Sequence, residues 1–168
     1  MSFELVPFLQ VFAIAGAAFL SGYITTFSVG IPHIALAPPL LAARQWEDFY
    51  DRGKLSAPFI GLFFSLLFVY ISYSLGGPFT SSLAALYALA GAATVGIIPW
   101  TLGTMLPMNT RLQAYAAMKE SEVQGEKAEK SAQQEVRRLF AAWTILNSVR
   151  AMWPALGAAL AGWALLGW

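Results

Sequence analysis

Residues 139–168 read LFAAWTILNSVRAMWPALGAALAGWALLGW, and Arg150 is the only charge among them. A bilayer-spanning helix needs about 20 apolar residues in a row, so this stretch is long enough to cross. A guanidinium cannot face lipid cheaply. It must point into a protein interior, and an ionisable group there marks a functional site by default. Trp143, Asn147 and Arg150 stand at i, i+4 and i+7 and stack on one helical face. At a rise of about 1.5 Å per residue, Arg150 lies roughly 16 Å below Leu139, near the bilayer midplane. One membrane helix with a polar inner stripe requires other helices to cover that stripe.

The rest of the chain supplies them. Hydrophobic residues make up 58% of it, charged residues 11%, and the mean hydropathy is +0.60, whereas soluble domains carry about 25% charge. Apart from His33, no charge occurs from Leu5 to Ala43 or from Leu55 to Thr110. The first block holds one span and the second holds two, divided at Gly76-Gly77-Pro78. Spans are expected near 6–30, 58–75, 83–105 and 139–162, with connectors at 38–57 and 106–138. The expected fold is an all-α membrane protein of one domain: a four-transmembrane-helix bundle with a cytoplasmic helical extension between helices 3 and 4. The first apolar run exceeds the roughly 7–15 residues of a signal-peptide core, and no basic residue precedes it, so it reads as a retained helix.

Charge placement gives an orientation. Arg44, Arg52 and Lys54 lie in the first long connector, and Arg111, Lys119, Lys127, Lys130, Arg137 and Arg138 in the second. The chain ends and the Gly76–Ser82 turn carry none. The positive-inside rule puts both connectors in the cytoplasm and both termini in the lumen or outside. Residues 111–138 mix signs at helical spacing and read as solvated helix extending the third and fourth spans. Cysteine is absent and histidine occurs once, which leaves no disulfide framework and no metal site of usual ligation. A net charge of +1 without a basic aromatic patch gives no reason to expect nucleic acid.

Candidate site residues gather around Arg150. Pro99 lacks an N–H and frees the carbonyl of Val95. A hairpin of the third and fourth spans brings that carbonyl to the depth of Arg150. Arg150 then either pairs with it and holds the bundle together, or waits for an anionic or enolate-like ligand. The second reading expects a ligand-sized void beside the guanidinium. Thr94, Thr101 and Met105 recur at about helical spacing, and a threonine here often only bonds back to its own turn. Asn109, after Pro107, either caps the chain or pairs with Asn147 at a pocket mouth. Ser21, Thr25 and Ser28, with Gly16 and Gly22, suit close helix packing. His33 is the one side chain with an ordinary pKa near neutrality, so it is a candidate base or an interfacial residue. Trp100 and Trp143 either join interfacial belts or wall a flat aromatic pocket.

In order, the chain carries Ser28-Val29-Gly30-Ile31-Pro32; Arg44-Gln45-Trp46 with Tyr50 and Gly53; Ala57-Pro58; Ile98-Pro99-Trp100-Thr101; Met105-Leu106-Pro107-Met108-Asn109 with Leu112; and Trp143, Asn147 and Val149-Arg150. Over nearly its whole length this resembles the anthrone oxygenase-like family of small four-span membrane proteins of fungal polyketide clusters. The family often has Tyr where Trp100 stands and Thr where Met108 stands. The resemblance implies oxidation of an anthrone to an anthraquinone by O2, with no cofactor, through a deprotonated anthrolate in an intramembrane pocket. Its implied partners are a hydrophobic aromatic substrate, O2 and the lipid bilayer, in the endoplasmic reticulum or another endomembrane. On that reading Arg150, Asn147 and His33 are catalytic, and Asn109, Trp143, Trp100, Thr101 and Met105 bind substrate. The rival readings are an enzyme acting on another membrane-soluble metabolite, a small-molecule carrier, and an assembly subunit.

Overall fold

The computed structural model describes residues 5–167. Among them four long helices account for nearly all the structure, and there are no strands. They are α1 (Leu5–Ile34), α2 (Pro39–Ser74), α3 (Ser82–Ala117) and α4 (Glu126–Leu166). Each is long and apolar enough to cross a membrane.

The segment expected as a connector at 38–57 is instead the first half of α2. Pro39 sits in the first turn, where its fixed φ and missing N–H are tolerated. Leu40, Ala43, Trp46, Gly53 and Ala57 are buried, and their three-to-four-residue spacing is that of a helix face turned inward. Charged residues occupy the opposite face, so α2 runs through Pro58 without a loop. The second connector is helical at both ends, with Leu106–Ala117 closing α3, a short 3-10 turn at Glu120–Val123 and α4 starting at Glu126. Arg44 fastens its beginning. The guanidinium donates to the carbonyls of Ala116 at 3.2 Å and Met118 at 2.8 Å, and pairs with Glu120 at 2.9 Å. These bonds satisfy carbonyls left open at the end of α3.

Successive helices run antiparallel. Phe27 of α1 meets Phe49 and Gly53 of α2. Ser65 and Ser72 of α2 donate to the carbonyls of Gly91 at 2.9 Å and Ala84 at 2.7 Å on α3. Trp100 of α3 donates to the Leu146 carbonyl of α4 at 3.1 Å, and Ser21 of α1 donates to the Ala151 carbonyl at 2.8 Å. The ring therefore closes as α1–α2–α3–α4. Lipid-like surroundings provide little hydrophobic drive between helices, so close packing and interhelical hydrogen bonds hold them. Gly157 is a tight case: a Cβ there would fall 2.2 Å from Thr94 Oγ1 and 2.8 Å from the Ala90 carbonyl. Only a residue without a side chain lets α4 approach α3 so closely. The α2–α3 turn uses Gly76 and Gly77 at φ +104° and +99°, a left-handed region that other residues avoid.

Candidate active site

The irregular part of α3 sets the site. Its regular helix ends at Val95, Ile97–Trp100 form one turn, and Thr101–Met105 form a π-helical turn before the α-helix resumes at Leu106. Pro99 and Pro107 flank the widened turn, each removing one backbone donor from the ladder. Such π turns concentrate at functional sites. Here the turn presents Thr101 and Met105 to α4.

Arg150 is only 8% exposed. The Val95 carbonyl was one of the two partners the sequence left open for it, the other being an anionic ligand. The contact found is instead with Thr101, whose Oγ1 accepts from an Arg150 terminal nitrogen at 3.4 Å and itself donates to the Ile97 carbonyl at 2.7 Å. Asn147 is fully buried and reaches α1, donating to the Ile24 carbonyl at 2.9 Å and to Ser28 Oγ at 2.8 Å. Asn109 lies inside the resumed helix, buried rather than at an edge. Its Oδ1 accepts from Trp143 Nε1 at 3.0 Å. In place of the Asn109–Asn147 pairing that the sequence left open beside a capping role, there are two separate links, one from α4 to α3 and one from α4 to α1.

Aromatic rings close the cluster. Trp46 lies edge-on to Trp143 with centroids 6.0 Å apart, and stacks on Tyr50 at 4.9 Å. Met105, Leu112 and Phe140 complete this packing. Trp46, Tyr50 and Ser28 thus belong to the site, although sequence reasoning gave them no role there. Their signal was present: Trp46 and Tyr50 are one helical turn apart, in a segment read as connector rather than helix. Trp100 sits at the margin, half-buried, with its ring 6.4 Å from Trp153. Of the expected polar face on α1, Ser21 and Ser28 do point inward, while Thr25 is exposed and bonds back to the Ser21 carbonyl. Thr94 likewise bonds back to Ala90.

His33 stands apart. It is exposed near the end of α1 and lines a cleft of about 510 Å³ with Gln45, Asp48, Phe49 and Arg52. A second cleft, of about 320 Å³, is lined by Tyr23, Thr26, Phe27, Gly30, Phe49 and Arg52. Arg150, Asn147 and Asn109 line neither, so the void expected beside the guanidinium is not among these clefts. Packed rings cover the cluster, and a flat guest enters only if they move.

The buried polar groups are not all satisfied. Arg150 Nε, Asn147 Oδ1, Asn109 Nδ2 and Trp46 Nε1 have no hydrogen-bond partner among the described residues. An unsatisfied buried donor or acceptor costs about 1–3 kcal/mol, and native cores tolerate few of them. Asn147 and Arg150 lie within one turn of α4 and Trp143, which holds Asn109, one turn before them, so these unmet donors and acceptor gather in one half of the bundle.

Fold and site together define a small four-span membrane protein with a polar, aromatic-walled core. The family model of the anthrone oxygenases matches residues 46–160, and the chain belongs to that family. It is 28% identical to the anthrone oxygenase encC of Aspergillus fumigatus, over 94% of this chain and 92% of that protein. The monooxygenase hypC of Dothistroma septosporum is 30% identical over 90% of this chain and 80% of its own length. The noranthrone monooxygenase of Aspergillus flavus is 32% identical over 73% of this chain and 55% of its own length. No solved structure matches. The matched region contains every residue of the polar cluster except those on α1.

Proposed function

We propose that this monooxygenase oxidises an anthrone-type aromatic polyketide to the corresponding anthraquinone, using O2 and no cofactor, inside the bundle. The observation that carries the reading is the buried layer of Arg150, Asn147 and Asn109, with unpartnered polar atoms framed by Trp46, Trp143 and Tyr50. The names of the relatives support the same substrate class.

An anthrone has a methylene flanked by two aromatic rings and one carbonyl. Loss of one methylene proton gives a delocalised anthrolate. The anthrolate passes one electron to O2, giving a delocalised anthronyl radical and superoxide, which recombine with a C–O bond at the former methylene carbon and take up a proton to form a hydroperoxide. Loss of water then leaves the second carbonyl, so one anthrone and one O2 give one anthraquinone and one H2O. The substrate supplies the electrons. The protein has to stabilise an oxyanion, hold the ring system flat and exclude water.

In this reading the Arg150 guanidinium faces the anthrolate oxygen and then the peroxide. The amides of Asn147 and Asn109 bond phenol or carbonyl oxygens, Trp143 and Trp46 wall the rings, and Thr101 and Met105 shape the α3 side. The exposed setting of His33 separates it from this layer. A phenolate of the substrate itself, held beside the guanidinium, is the proton acceptor this reading favours. The nine-to-none distribution of basic residues supports cytoplasmic connectors and lumenal termini, in a single domain embedded in an endomembrane.

The test is turnover by purified protein in detergent or nanodiscs. Emodin anthrone under oxygen should give emodin, with one O2 consumed per quinone formed, faster than the spontaneous oxidation. Equal rates with and without protein would remove the activity.

A further inference from the structure

The cluster around Arg150 is covered, yet a cleft reaches its flank. Between α1 and α2 the cavity of about 320 Å³ is walled by Tyr23, Thr26, Phe27, Gly30, Phe49 and Arg52. That is near the lower end of the range for small-molecule sites. Phe27 is its inner wall. Its ring lies edge-on to Tyr23 at 5.1 Å and to Phe49 at 6.0 Å, and on its other side it packs on the Trp46–Trp143 cluster. Phe27 belongs to the same turn of α1 as Ile24 and Ser28, the two residues that hold Asn147. The cleft and the polar layer are therefore at one depth, with Phe27 between them.

We propose that the α1–α2 cleft is the entry site for the planar aromatic substrate, with Phe27 as its gate and Arg52 receiving the substrate's acidic edge. This rests on the substrate class argued above. Three aromatic rings suit a flat polycyclic guest. Arg52 is the one charged residue lining this cleft, and it also lines the outer cleft with His33, Gln45 and Asp48. A phenolic or carboxylic edge therefore stays at the wet end while the rings slide inward. Gly53 makes the gate movable: a Cβ there would meet the Phe27 ring at 3.3 Å, so the glycine leaves the ring room to swing.

Two measurements test the gate and the cleft separately. Gly53→Ala should lower kcat/KM for emodin anthrone by roughly tenfold by restraining the ring. Adding Phe27→Ala to it should restore most of the loss, and the melting temperature of Gly53→Ala should stay at the wild-type value, which a packing defect against the Phe27 ring would lower. An unchanged kcat/KM in Gly53→Ala, or no rescue in the double variant, overturns the gate. For occupancy, the chain has no cysteine, so Gly30→Cys introduces a unique thiol where nothing lies within 4 Å of the new Cβ. Gly103→Cys, equally open on α3, is the control. Emodin should slow maleimide labelling at position 30 and leave position 103 unchanged. Equal labelling with and without emodin overturns the entry site. So does protection by phosphatidylglycerol but not by emodin, which marks the cleft as a lipid site. Because labelling requires no turnover, protection in an inactive wild type would keep the cleft and remove the oxygenase reading. Turnover without protection would do the reverse.

Discussion

Towards Leu5 and Leu166 the bundle core is Ala13, Ala17, Phe64, Phe68, Ile71, Tyr87, Ala90, Ala161 and Ala164. Towards the extension it is Trp46, Met105, Leu112, Val136, Phe140 and Trp143, with Asn109, Asn147 and Arg150 in the same region. The first half uses small residues to bring backbones together, and Tyr87 holds its one unpartnered buried polar atom among the described residues. The second half uses large rings, a π turn and polar side chains, and with Trp153 at its margin it holds five such atoms among the described residues. One half is optimised for contact, while the other keeps unmet hydrogen-bonding capacity at a cost in stability. Stability given up locally is expected where a protein must receive something.

Substitutions in the two halves should fail in different ways. In the polar half, Arg150→Leu should cut kcat for emodin anthrone by about 10²–10³-fold, the usual cost of losing one preorganised charge-stabilising donor. Its melting temperature in detergent should hold or rise, since replacing a buried charge by an apolar group is often neutral or stabilising. A stable variant with full turnover would place the chemistry elsewhere. In the contact half the pattern reverses. Gly157→Ala forces a methyl against Thr94 and the Ala90 carbonyl and should cost about 1–3 kcal/mol, lowering the melting temperature while the protein that stays folded keeps its kcat.

Asn147→Ala sits between these extremes. It strands the groups of α1 that now bond to the amide and should lower kcat/KM by roughly tenfold with a stability loss of about 1 kcal/mol. Equal activity would demote Asn147 to a helix tie. Ser65→Ala, which removes one interhelical hydrogen bond in the contact half, should cost only about 0.6 kcal/mol and leave turnover unchanged. Glu135→Gln is the smallest perturbation. The Arg111–Glu135 pair at 2.6 Å is largely exposed on its arginine side, and such pairs contribute about 0–1 kcal/mol. A large effect there would mean that the extension does more than join α3 to α4.

Much of this was legible along the chain. The four spans, the Gly76–Gly77 turn and the helical extension follow from charge-free runs and from where charge resumes. The i, i+4, i+7 spacing of Trp143, Asn147 and Arg150 announced an inward polar face, and all three are buried. The segment at 38–57 was harder, because its charged outer face masked the helical spacing of Leu40, Ala43, Trp46 and Tyr50. That masking also hid Trp46 and Tyr50 as members of the site.

Hydropathy and helical period are properties of consecutive residues, so the sequence by itself determined how many helices there are, roughly where they lie, and which face of α4 turns inward. Which atoms meet across helices depends on rotation, depth and close approach, and these exist only once all four helices are packed. Tertiary structure alone therefore gave Thr101 rather than the Val95 carbonyl to Arg150, joined Asn109 to Trp143 and Asn147 to α1, and set His33 outside on a cleft. A π turn of five residues in α3 and one glycine opposite Thr94 help fix that packing, and neither leaves a periodic trace in the chain.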